Sequence, residues 1–146
     1  MIKCEDIEKC CSESSDKRKT LKDKKGGSSR LLIENKLQKK FNIIDFEDCV
    51  YKAKQQETKC DFGILTDTEI IYVELKGSDV KQGIFQLKST IEDTKQCFKD
   101  LNFKGNIVVT KFSKPNLVKQ RKDYKDLVKL LQKEPVIKQN IHTENI

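Results

Sequence analysis

DFGILTDTEIIYVELK, running from Asp61 to Lys76, decides how the rest of the chain is read. Two short apolar runs, Asp61 to Leu65 and Ile70 to Lys76, flank the polar Thr66-Asp67-Thr68-Glu69, which is the pattern of a β-hairpin. Side chains two apart on a strand share a face, so Glu74 and Lys76 project together. In an antiparallel pair the start of the first strand lies beside the end of the second. Asp61, Glu74 and Lys76 therefore gather at one end of the hairpin. Two carboxylates and one ammonium at one spot are costly to hold without a ligand, and a divalent cation would balance them. The simpler alternative is that Asp61 opens a strand and that Glu74 and Lys76 form an ordinary same-face ion pair.

Upstream, Ser28 or Ser29 can cap a helix over Arg30 to Phe41, with Ile33, Leu37 and Phe41 as its buried stripe. Glu34 then sits at the edge of the inward face. Asn42 to Phe46 suggests a strand or loop, and Lys52 to Lys59 reads as an exposed connection or an edge strand. Downstream, Asp79 caps a long helix whose seam is Val80, Ile84, Leu87, Ile91, Thr94, Phe98 and Leu101. Gly83, Gln86, Thr90 and Cys97 run beside that seam, and Asn102 to Gly105 stops the helix. The apolar run Asn106 to Thr110 predicts a buried strand, reached by a crossover and parallel to its neighbour. Phe112 to Asn116 is a turn, and Tyr124 to Leu131 a last amphipathic helix.

This order predicts an α/β fold, a central mixed β-sheet flanked by helices. Residues 1–27 are expected to be a flexible or partly helical lead-in, 28–133 the core domain and 134–146 a loose tail. At 146 residues one domain is expected. No apolar run approaches a membrane span and the charged N-terminus does not read as a signal peptide. A cytoplasmic location, with no membrane partner, is the expectation. Cys4, Cys10, Cys11, Cys49, Cys60 and Cys97 lack paired C-x-x-C spacing, and the one histidine, His142, is far off in the tail. Reduced thiols are the favoured reading.

The formal net charge of +7 is uneven. Residues 1–30 hold nine basic and six acidic side chains, residues 31–110 twelve and thirteen, and residues 111–146 nine and four. Basic flanks around an acidic centre suit a phosphate backbone held over a metal site, and equally a lysine-rich surface that serves solubility.

Asp61, twelve intervening residues and then Glu74-Leu75-Lys76 resembles the core motif of the PD-(D/E)XK, or restriction-endonuclease-like, nuclease superfamily. Cys60 stands where that family usually has proline. The likeness covers roughly residues 29–131 as topology, while the sequence match is confined to a few positions. It implies an αβββαβ core and a metal-dependent nuclease hydrolysing phosphodiester bonds, with DNA favoured over RNA and endonuclease over exonuclease. It implies Mg2+ or Mn2+ held by Asp61, Glu74 and the Leu75 backbone carbonyl, with Glu34 reaching in as a further ligand. Lys76 would orient or deprotonate the attacking water, and Gln86 would hydrogen-bond water, phosphate or Lys76. Gln82 and Gln86 do not make the Gln-x-x-x-Tyr motif of the RecB-like branch. The small chain leaves substrate recognition to a homodimer, a protein partner or the basic ends. Two alternatives keep the fold without turnover: a catalytically silent nucleic-acid-binding module and a protein–protein adaptor.

Overall fold

The computed structural model describes residues 2–52, 59–111 and 115–146. The expected connection at Lys52 to Lys59 and the turn at Phe112 to Asn116 lie largely outside these residues. Among those described, the chain is mixed α/β. It runs α1 (Cys4–Lys9), β1 (Cys11–Ser14), β2 (Arg18–Lys22), β3 (Arg30–Glu34), β4 (Phe41–Asp45) and a π-helical turn (Phe46–Val50). There follow β5 (Phe62–Leu65), β6 (Glu69–Leu75), α2 (Val80–Thr94), a 3-10 turn (Lys95–Phe98), β7 (Asn102–Val109), α3 (Pro115–Lys119), α4 (Lys122–Leu131), β8 (Val136–Gln139) and β9 (Ile141–Asn145).

Six strands form a mixed sheet in the order β1-β4-β5-β6-β7-β8, and β2-β3-β9 form a second, smaller one. The hairpin read from the sequence is present, with Phe62 opposite Val73 and Leu65 opposite Ile70. β7 lies parallel to β6 and β8 parallel to β7, as a crossover through a helix requires. The large sheet is covered on both faces. Along β6, Ile70 and Tyr72 join the helix-side core with Ile84, Leu87, Ile91, Leu127 and Leu131. Ile71, Val73 and Leu75 point the other way, onto Leu31, Ile33 and Leu21 of the small sheet. This alternation puts Glu74 on the helix face.

Four expectations are corrected. Arg30 to Phe41 is not a helix. Leu31 and Ile33 are buried alternately in β3, and Leu37, the supposed middle of a helical stripe, is 75% exposed. Asn35 ends the strand instead: its Nδ2 donates to Asp16 O and Lys39 O, and its Oδ1 accepts from Lys39 N. Gln38 takes a left-handed φ of 50° within that turn.

The lead-in over residues 1–27 carries α1, β1 and β2, anchored by buried Ile7. The tail over 134–146 is likewise built into the fold. β8 extends the large sheet, and Asn140, at φ 68°, turns the chain so that β9 pairs parallel to β3 in the small one. Lys104 and Asn106 of β7 hold Glu144 of β9 at 2.8 Å each, an ion-paired link between the sheets. Against the penalty of burial, the contacts of His142, Lys104 and Asn106 hold Glu144 down at a pKa of about 2.

The cysteines are the fourth correction. Cys4 is bridged to Cys97 and Cys10 to Cys49, and Cys11 and Cys60 are free. The bridges tie α1 to the end of the α2 segment and to the π-helical turn. Such bridges persist in oxidising compartments and are rare in the cytosol, which weighs against the cytoplasmic placement. Thiol titration of the denatured protein should find two reactive groups without reductant and six after reduction. Six at the outset would mean that the bridges do not form. No helix among the described residues is long and apolar enough to cross a membrane.

Candidate functional site

β5 and β6 bring Asp61 and Glu74 together because Asp61 is the residue just before β5 and Glu74 the last but one of β6. The Asp61 amide is 3.1 Å from Val73 O and 3.2 Å from Glu74 Oε1. In return Asp61 Oδ2 accepts from Leu75 N at 2.8 Å. Backbone groups alternate sides along a strand. Val73 and Leu75 turn theirs toward β5, so the Leu75 carbonyl faces the Asp61 side of the hairpin, as a ligand position requires. The Leu75 side chain is buried against the small sheet. Lys76 is fixed by its amide to Val108 O at 2.8 Å and by Ser29 Oγ donating to its carbonyl at 2.7 Å. Its Nζ lies 3.7 Å from Glu74 Oε2.

α2 lies across this end of the sheet. A Cβ placed on Gly83 would stand 3.6 Å from Glu74 Cγ and 3.1 Å from Ile107 Cγ2, so a larger residue there would press on the carboxylate's stem. Gln86 is buried one turn further along the same face. It stands between Gly83, over Glu74, and Thr90, whose Oγ1 accepts from Cys60 N at 2.9 Å. Gln86 is therefore on the α2 face that turns toward the Asp61–Glu74 end.

Glu34 is elsewhere. β3 starts next to Ser29, near Lys76, and runs away from it. Five residues at about 3.3 Å each put Glu34 roughly 16 Å along the strand. Glu34 there pairs with Arg18, Nε to Oε1 at 3.2 Å. The carboxyl group that lies against Asp61 is instead Glu47, which the sequence reading did not select. Glu47 is buried in the π-helical turn, close enough to Asp61 for its carboxylate to raise the Asp61 pKa. Phe46 N and Glu47 N both donate to Asp61 O, at 3.1 and 3.3 Å, which fixes the turn against the start of β5. The only sequence signal for Glu47 is its place in the acidic run Asp45 to Asp48, directly after an apolar strand.

Three carboxyl groups thus meet against two lysines, Lys76 beside Glu74 and Lys25 beside Glu47. Burial, then the hydrogen bond that a protonated Asp61 donates to Glu47, pushes Asp61 up to about 8. Burial and the charge of Asp61 push Glu74 well above the usual carboxylate range, against the pull of Lys76. Lys25 Nζ lies 3.7 Å from Glu47 Oε1, and Lys24 bridges Asp45 and Asp48 at 2.7 Å each while standing over the Phe62 ring. Among the described residues no three carboxyl, thiol or imidazole groups already surround one ligation point. Asp61 Oδ2 and Glu74 Oε1 are engaged by backbone amides. The donor set is nevertheless hard oxygen carrying excess negative charge, which fits a cation such as Mg2+ that takes one or two carboxylates and keeps its waters.

Comparison with protein-family models, with curated proteins and with solved structures returned no match for this chain.

Proposed function

We propose that the chain is a metal-dependent nuclease that hydrolyses phosphodiester bonds in DNA, with the hairpin end as its active site. The observation that carries this reading is the meeting of Asp61, Glu74 and Lys76 at one end of the β5–β6 hairpin, with Asp61 and Glu74 both raised by burial and by neighbouring carboxylates. The succession β4-β5-β6-α2-β7 supports a restriction-endonuclease-like core, three antiparallel strands followed by a helical crossover to a parallel one.

In this reading Asp61, Glu74 and the Leu75 carbonyl hold Mg2+ or Mn2+, and Glu47 rather than Glu34 is the third acidic side chain. The ion would supply Lewis-acid polarisation of a phosphoryl oxygen and offset the negative charge that Asp61, Glu74 and Glu47 bring together. Lys76, 3.7 Å from Glu74, orients the attacking water and offsets charge developing on the phosphate. Gln86 braces the same spot from α2.

A plasmid incubated with purified protein should be cut with Mg2+ or Mn2+ and left whole with EDTA. Lys76→Ala should slow the cutting about 100-fold, the order expected for one acid–base or charge-stabilising group. Cutting that survives EDTA or the substitution would remove the mechanism. Salt-sensitive binding without cleavage would make the chain a silent nucleic-acid-binding module. A stable protein complex without affinity for nucleic acid would make it an adaptor.

A further inference from the structure

Beside the acidic site, between α2 and the residues just before β5, lies an open cleft of about 300 Å³ lined by Lys59, Phe85, Lys88, Ser89, Glu92 and Asp93. Its volume is at the small end of ligand sites. Its floor is unusually well organised for a surface feature. Lys59, nearly buried, donates from Nζ to Ser89 Oγ at 3.1 Å, lies 3.6 Å from Asp93 Oδ2 and stands 4.8 Å above the Tyr51 ring. The Tyr51 hydroxyl donates to the same Asp93 Oδ2 at 2.8 Å. At the rim Lys88 pairs with Glu92 at 3.3 Å and reaches Asp126 at 4.0 Å.

The charges of this cleft cancel. Lys59 answers Asp93 and Lys88 answers Glu92, so no surplus of positive charge is left to hold a phosphate. What the cleft offers is a fixed set of donors and acceptors under an aromatic side chain. Phe85 is 44% exposed on a helix whose neighbouring positions, Ile84 and Gln86, are buried. On the far side of Phe85 a wider groove of about 600 Å³ leads to Arg121 and Lys122, which are paired with Asp123 and Asp126. A planar, neutral, hydrogen-bonding group that stacks on Phe85 matches these features, and a nucleic-acid base is such a group.

The cleft is also in the right place. Lys59 is two residues before Asp61, and Thr90, next to Ser89, holds the Cys60 amide. From Gly83, over Glu74, to Ser89 is six helical residues, about 9 Å. We propose that this cleft receives one unpaired base of the DNA strand being cut, stacked on Phe85 and hydrogen-bonded by Lys59, Ser89 and Asp93. The proposal rests on the nuclease reading and narrows its substrate to DNA that is single-stranded, or unpaired near the cut. A base in a duplex would have to leave its stack to enter.

The test is fluorescence anisotropy of the 146-residue chain with a labelled oligonucleotide in EDTA, where nothing is cut. A single strand should bind more tightly than the same sequence as duplex. Phe85→Ala should weaken single-strand binding about 5- to 100-fold, the range for loss of one base–aromatic stack, and Phe85→Tyr should restore it. Ser89→Ala should weaken it less. An oligonucleotide carrying one abasic position at the bound site should bind wild type weakly and be indifferent to Phe85→Ala. Equal binding of duplex and single strand, absence of single-strand binding, or Phe85→Ala binding like wild type overturns the proposal. If Phe85→Ala binds normally while Mg2+-dependent cutting still needs Asp61, the cleft fails and the nuclease stands. If base binding depends on Phe85 but Asp61→Asn cuts as well as wild type, the nuclease mechanism fails and the cleft stands.

Discussion

Asp61→Asn should abolish Mg2+-dependent cutting, by about 1,000-fold or more, and at the same time raise the melting temperature of the metal-free protein. The two effects have one origin. Asp61 is held at the start of β5 by Leu75 N and lies against Glu47 and Glu74, so its negative charge is opposed by burial and by its neighbours. Asparagine keeps an oxygen for Leu75 N and can donate to Glu47 from its amide nitrogen, so the local hydrogen bonds survive without the charge. Relief of a buried, poorly compensated charge is worth on the order of 1–3 kcal/mol, a few degrees for a chain of this size. The effect must depend on pH. An aspartate carboxyl titrates at about 3.9 in the unfolded chain and at about 8 here. A group raised on folding stabilises the fold fully below the unfolded value, and that stabilisation is lost as pH rises through the folded value. Metal-free wild type should therefore lose stability from about pH 4 to pH 8, with Glu74 acting in the same direction. The advantage of Asp61→Asn should be small at pH 5 and largest above pH 8. Added Mg2+ should stabilise wild type at pH 8 and leave the variant unmoved, since a ligand shifts stability only through the state that binds it. Thermal melts of both proteins at pH 5 and pH 9, with and without Mg2+, decide the matter. Equal gaps at the two pH values, or equal response to Mg2+, would show that Asp61 carries no such charge burden.

Much of the site could be read from the residues because its geometry is local. Asp61, Glu74 and Lys76 are placed by strand periodicity and a tight turn. α2 is placed by a seam with one period throughout, Val80 to Phe98, even though its last turn tightens to 3-10. The third carboxylate was not legible. Ile33, Leu37 and Phe41 fit a helical stripe by spacing alone, while Leu31 and Ile33 fit a strand, and only the small sheet behind them selects the second. Glu47 sits in a π-helical turn, a conformation with no sequence period of its own. The small sheet did leave a trace. β6 is apolar on both faces, Ile70 and Tyr72 on one and Ile71, Val73 and Leu75 on the other, which a half-exposed hairpin would not be. β8 and β9 depend on backbone pairing to β7 and β3, far away in sequence, and their own side chains advertise little. The cysteine pairs span 93 and 39 residues, so spacing could not suggest them.

Gly63→Val should be the most damaging single substitution outside the charged groups, because it breaks the packing that presents Glu47. Gly63 lies in the middle of β5 on the helix face. A Cβ there would fall 2.8 Å from the Phe46 ring and 3.3 Å from both Ile44 Cδ1 and Ile70 Cδ1, all fully buried. Phe46 cannot retreat easily, since it is stacked on Tyr72 at 5.7 Å, and Tyr72 is hemmed by Phe98 and Phe103 and bound through its hydroxyl to Thr94. Overpacking of a core costs about 1–3 kcal/mol and more where neighbours cannot yield. About 3 kcal/mol, roughly 10 °C in melting temperature, is expected here. Phe46 also opens the π-helical turn, so any shift of its ring moves Glu47 and loosens the paired amides on Asp61 O. Cutting by the folded fraction should therefore fall as well. Phe46→Leu in the Gly63→Val background removes the obstructing ring edge. The double variant should be more stable than the sum of the single losses predicts by about 1–2 kcal/mol, the sign of coupling between touching residues. Additive losses would mean that valine finds its room against Ile44 and Ile70 instead. In that case Glu47 should keep its place, and the folded variant should cut at the wild-type rate.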